Sequence, residues 1–246
     1  MAESTADHPH GEGAPPFDAS PLFRFLESAT GLRHFMISFP WDRFTALPDA
    51  GLVRSHTITH VVLKHRHLSA HALARFVSLF PSLTTLDMSE TKTAAPHGTE
   101  LFARTLSGDI AASLHNLEVL SLPFPGEDDP LFRLLTELCL PSLRVLNVRS
   151  CLPGWSDFQR PRGLFRALAE STVRFPALVR LHVYNVRYEA HLDLDALETM
   201  LSSLGMRSLK NIMLTMDSAT RLLVDTPEVA RLCDQHGVSL QTRAGT

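Results

Sequence analysis

Three segments of this chain nearly repeat one another: FPSLTTLDM from Phe80, LPSLRVLNV from Leu140 and FPALVRLHV from Phe175. Each carries apolar residues in the order apolar-x-x-apolar-x-apolar, and four looser copies follow the same template: Leu32/Phe35/Ile37, Ile58/Val61/Leu63, Leu117/Leu120/Leu122 and Leu209/Ile212/Leu214. No single copy can bury its own apolar face. Self-similarity of this kind therefore constrains the fold more than any local propensity does.

The first apolar positions fall at Leu32, Ile58, Leu83, Leu117, Leu143, Leu178 and Leu209, spaced 26, 25, 34, 26, 35 and 31 residues apart. The shorter spacings lie in the range of about 20–29 residues typical of leucine-rich repeats, and the longer ones need inserted loops or extra helical turns. In LEVLSL, a strand would point Leu120 and Leu122 inward and Val119 and Ser121 outward, because successive side chains alternate between faces. Leu117 would enter the core just before it.

The segments between copies supply helices. Ser69 is an N-cap before AHALARFVSLF, Pro130 opens LFRLLTELCL, Pro161 precedes GLFRALAESTV, and Leu194, Leu197, Met200, Leu201 and Leu204 form a stripe ending at Gly205. The expected fold is an α/β leucine-rich-repeat solenoid, a horseshoe with a parallel sheet on its concave face and helices on its convex face. Residues 20–246 would form about seven irregular repeats. Pro21–Ser28 would be a helix beside the first strand, and a helix at Pro227–Gln235 with a strand at Val238–Leu240 would cap the far end. Residues 1–19, rich in Gly, Pro, Ser and acidic residues, read as a disordered tail.

The lead-ins FPSL, LPSL and FPAL, the uneven repeat length and the closing stretch LCDQHGVSL from Leu232 resemble leucine-rich-repeat proteins of the F-box class, in particular the divergent fungal set. The resemblance covers roughly Leu32 to Leu240. It implies a substrate receptor in which an N-terminal F-box binds the adaptor of a cullin-type ubiquitin ligase while the repeats recruit substrate. No F-box is recognisable in this chain. Leu47-Pro48-Asp49 matches its opening, but Ile58 already begins a repeat strand, which leaves no room for three helices. At the turn position where the family carries Asn or Cys, only Cys151 fits. Arg66, Thr91, Pro125, Val186 and Asp217 stand in the other copies, so the turns should be irregular.

Partner binding is expected on the outward strand positions: His34, Met36, His60, Lys64, Thr85, Asp87, Asn147, Arg149, Arg180, His182, Tyr184, Asn211 and Met213. Among these, His60, Lys64, Asp87, Asn147, Arg149, Arg180, His182 and Tyr184 are the candidate protein-binding set. Arg149, Arg180, His182 and Tyr184 lead it, because Arg and Tyr are favoured interface anchors. The loops Thr91–His97, Pro123–Asp129 and Pro153–Arg160, with Trp155 and Phe158, are secondary candidates.

Nothing in the chain reads as an active site. His67 and His71 stand four apart but lack the third and fourth ligands that zinc needs. Glu127-Asp128-Asp129 lacks calcium-loop spacing and reads as a charged helix entrance, as do Asp193, Asp195 and Glu198. Cys139 reads as a core filler beside Leu138 and Leu140. No phosphate loop or nucleophile elbow appears, so no metal, cofactor or catalytic residue is assigned. The formal net charge of −3 gives no reason to expect nucleic acid or a membrane as partner. Three widely separated cysteines fit reduced thiols in the cytoplasm or nucleus. The reading is a protein-interaction module. Its competitors are a structural remnant that has lost its partner and an enzyme with an unrecognised site.

Overall fold

The computed structural model describes residues 20–38, 54–64, 76–89, 114–123, 139–149, 165–166, 168–169, 175–186, 194–203, 206–216 and 226–244. Eight strands lie within them: β1 (His34–Ile37), β2 (His60–Leu63), β3 (Thr85–Asp87), β4 (Val119–Pro123), β5 (Val145–Arg149), β6 (Arg180–Val186), β7 (Asn211–Met216) and β8 (Ser239–Ala244). They form one open sheet in chain order, with every neighbouring pair parallel. Among the described residues three helices of nine or ten residues accompany it: α1 (Ser20–Ser28), α2 (Leu194–Ser202) and α3 (Thr226–Gln235).

The register aligns the repeat position by position. Val61 stands opposite Leu86, Leu86 opposite Leu120, then Leu146, Leu181 and Ile212 in line, and all six are buried. One row further on, Leu122, Val148, Val183 and Leu214 repeat the alignment. A parallel pair can stack equivalent residues this way only if each crossover returns the chain to the same height. Fully burying each such side chain stabilises the fold by about 1.5–3 kcal/mol before entropy is counted. Phe76, Phe80, Phe165 and Leu168 from the intervening segments join this core, as do Leu197, Met200 and Leu201 of α2 and Val229, Leu232 and Cys233 of α3.

The near-identical lead-ins have a common cause. In Phe80-Pro81-Ser82-Leu83, Leu140-Pro141-Ser142-Leu143 and Phe175-Pro176-Ala177-Leu178, the fourth residue's N–H donates to the first residue's carbonyl at 3.1 Å. Each is a β-turn with proline at the second position, where its fixed φ suits the turn and its missing N–H costs nothing. Leu114–Leu117 and Met206–Leu209 close the same turn at 2.9 Å without proline. The turn tips the last leucine into the core. The carbonyl one residue later then accepts two N–H groups from the next rung: Thr84 and Thr85 on the Thr59 carbonyl, Arg144 and Val145 on that of Glu118, Val179 and Arg180 on that of Arg144.

The two terminal helices match their expected bounds to within one residue. Leu26 of α1 is buried, and Phe25 packs its ring 6.4 Å from that of Phe35. At the other end α3 closes with Gly237 at φ +67°, the Val238 N–H on the Cys233 carbonyl at 2.9 Å and the Gly237 N–H on that of Asp234 at 3.0 Å. Only a left-handed residue makes that paired closure, which turns the chain directly into β8. The strand runs to Ala244, four residues beyond the expected Leu240.

Cys139 corrects its expected role: it is exposed rather than buried. The Leu140 beside it, which opens the turn closed by Leu143, takes the core position instead. The readings at residues 1–19, Leu47–Asp49, His67, His71, Thr91–His97, Glu127–Asp129, Cys151, Trp155 and Phe158 lie outside the described residues.

Candidate functional site: the open face of the sheet

Side chains at alternate strand positions leave the core and form an open face with three rows. One runs His34, His60, Thr85, Val119, Val145, Arg180, Asn211, Ser239; the next Met36, Val62, Asp87, Ser121, Asn147, His182, Met213, Gln241. The third aligns Pro123, Arg149, Tyr184, Thr215 and Arg243. Seven of the eight candidate residues lie in these rows, and Lys64 follows directly after β2. They fall into two groups rather than one.

Asn147, Arg149, Arg180, His182 and Tyr184 come together on adjacent strands β5 and β6. The His182 ring stacks on Tyr184 with centroids 3.4 Å apart, its Nε2 sits 2.9 Å from Thr215 Oγ1, and Asn147 Nδ2 donates to Ser121 Oγ at 3.0 Å. His182 is only 8% exposed although it belongs to the open face, because Tyr184 and Thr215 cover it. Burial first, and then the guanidiniums of Arg243 and Arg180, lower its pKa to about 4. The imidazole is thus neutral at physiological pH, a spacer that fixes Tyr184, while the arginines carry the charge. Asn211 Oδ1, beside Arg180 in the register, is buried without a hydrogen-bond partner.

The other group occupies β2 and β3. His60 stacks on His34 at 4.2 Å, and its Nδ1 lies 2.8 Å from Thr59 Oγ1. Partial burial and then His34 lower its pKa. Lys64 follows directly after β2. Asp87 Oδ1 accepts the Ser89 N–H at 2.9 Å, a local turn that occupies one oxygen of the only carboxylate in these rows.

Two further residues, Thr215 on β7 and Arg243 on β8, adjoin the first group from outside the expected set. Alternation from Met213 reaches Thr215, and alternation from Ser239 reaches Arg243 once β8 extends past Leu240. The period was visible in the sequence; the length of the last strand was not.

No group of three or more His, Cys, Asp or Glu that could hold a metal occurs among the described residues. The Cys233 thiol is buried in the core, and that burial, with the Asp234 carboxylate second, pushes its pKa up to about 11. It is a packing group rather than a nucleophile. Among the described residues no helix is long and apolar enough to cross a membrane. No protein-family model matches the sequence, and no curated protein matches it at a significant level.

Proposed function

We propose that the chain is a leucine-rich-repeat solenoid that holds a protein partner against the open face of its sheet, as a substrate-recognition module related to F-box ligase receptors. The observation that carries this reading is the register of β5 and β6. It sets Arg149 beside Tyr184 and Val145 beside Arg180, so that two residue types favoured as interface anchors share one patch. The buried His182 stiffens the patch from below, so Tyr184 loses little rotamer freedom on contact. The strictly sequential parallel order and the repeated turn are what a repeat array requires. A broad sheet face suits a polypeptide better than a small molecule, which needs an enclosing concavity.

The test is affinity capture from native cell extract, using the wild-type chain and the Arg149→Ala/Arg180→Ala/Tyr184→Ala triple variant as baits that melt alike. A protein held by the wild type and lost from the variant supports docking on this face. Retention of the ligase adaptor by both baits supports the F-box relationship. If the two baits capture the same proteins, the face is not the docking surface; recovery of nothing specific by either bait favours the structural remnant.

A further inference from the structure

The two ends of the open face differ in charge. Its aligned positions on β4–β8 hold three arginines, Arg149, Arg180 and Arg243, and not one Asp or Glu. The chain as a whole has a net charge of −3, so this concentration of positive charge runs against the composition. All three arginines are exposed. Arg180 stands in the row before that of His182 and Arg243 in the row after it, so the two arginines flank the His182 row from opposite sides.

We propose that this end of the face docks an extended acidic peptide segment, one whose Asp or Glu carboxylates meet Arg149, Arg180 and Arg243. The inference rests on the docking reading above and adds the chemistry of the partner. Arg149 and Arg243 share a row three strand intervals apart, about 14 Å at roughly 4.8 Å per strand. Arg180 sits one strand over from Arg149 and four residues below that row, about 13 Å along β6 at roughly 3.3 Å per residue. Charges this far apart match carboxylates distributed along a polypeptide rather than a single small anion. Each planar guanidinium can grip a carboxylate through two parallel hydrogen bonds. Tyr184, half-buried and stacked on His182, lies in the Arg149–Arg243 row and offers the segment an apolar surface with a polar tip.

The test uses the full chain and a fluorescent peptide of alternating glutamate and serine, compared with its glutamine counterpart and with a thymidine oligonucleotide of matched charge. The glutamate peptide should bind, weaken steeply with added salt as the Debye length contracts, and bind roughly tenfold or more weakly to the Arg180→Gln/Arg243→Gln variant. Arg231→Gln removes one exposed charge from α3, where Arg231 pairs loosely with Glu228 at 3.8 Å, and should leave binding unchanged. If the double glutamine variant fails to fold, Arg180→Lys/Arg243→Lys takes its place, and retained glutamate selectivity supports the charge argument. Equal binding of the glutamate and glutamine peptides overturns the proposal, as does preference for the oligonucleotide or an equal loss in Arg231→Gln. If the triple-alanine bait still loses a captured protein while the glutamate peptide does not bind, docking on the face stands and only the acidic partner falls.

Discussion

The β1–β3 end and the β5–β8 end of the sheet share one buried face and differ in nearly everything else. Phe35 and Ile37 of β1 are half-buried where Leu146, Leu181 and Ile212 are sealed, because an end strand has a neighbour on one side only. Leu240 of β8 is half-buried at the opposite edge for the same reason. The strands lengthen from three or four residues at β1–β3 to five to seven at β5–β8. On the open face a stacked pair of imidazoles, one of them bonded to a threonine, stands at one end. Three arginines around a covered His–Tyr pair stand at the other. The repeat dictates inward positions and leaves outward ones unconstrained by packing, so chemistry can diverge along the sheet while the backbone stays regular.

The largest test of this contrast acts on the weak end. Deleting residues 1–30 removes α1 with its buried Leu26 and exposes the flank of β1, an unpaired parallel edge. The deletion product should self-associate in light scattering and melt lower than the full chain. A monomeric product of equal stability would mean that α1 does not protect this end.

Packing at the two ends can be compared directly by urea denaturation. Leu181→Ala, at a fully buried central position, should cost about 2–5 kcal/mol, and Ile37→Ala at the half-buried end strand clearly less. Equal costs would remove the packing difference.

Acid should act chiefly through the other end. The folded protein keeps His182 neutral down to about pH 4, whereas the unfolded chain protonates near 6.5. Between those values the unfolded state binds more protons. The contribution is therefore intact above pH 6.5 and is lost as pH falls towards 4, to a total of about 3 kcal/mol. His182→Gln should flatten that part of the pH–stability curve, and His60→Gln should change it less. A curve unchanged in His182→Gln would mean that the ring is not held neutral.

Smaller effects separate two asparagines of the same face. Asn147→Ala breaks the bond to Ser121 and should cost about 1 kcal/mol. Asn211→Val removes a buried oxygen that has no partner and should be neutral or stabilising. Thermal melts of both variants decide the comparison, and a larger loss for Asn211→Val would reveal an unrecognised bond there.

Much of this architecture was legible from residues alone. The template at Leu83/Leu86/Met88 and its six counterparts predicts strands, and each is a strand whose second and third apolar residues turn towards the core. The eight candidate residues were readable as outward positions by the same alternation. What alternation cannot express is how far a side chain is covered by its neighbours. His182 and Arg180 are two residues apart on one strand, yet one is covered and the other exposed, because Tyr184 and Thr215 close over the ring. Cys139 fails for the same reason in reverse. Its apolar sequence neighbours suggested burial, while the turn at Leu140 sends it outward.

By itself the sequence determined the repeat, the parallel rungs and the identity of the core face. These follow from periodicity, a property of the chain read locally. Only the tertiary structure decided that β5, β6 and β8 bring arginines from positions 149, 180 and 243 onto one surface, and that His182 beneath them stays uncharged. Register and burial depend on which strands end up side by side and how long each one runs. That is settled by packing between segments roughly thirty to sixty residues apart, at separations where no local pattern reaches.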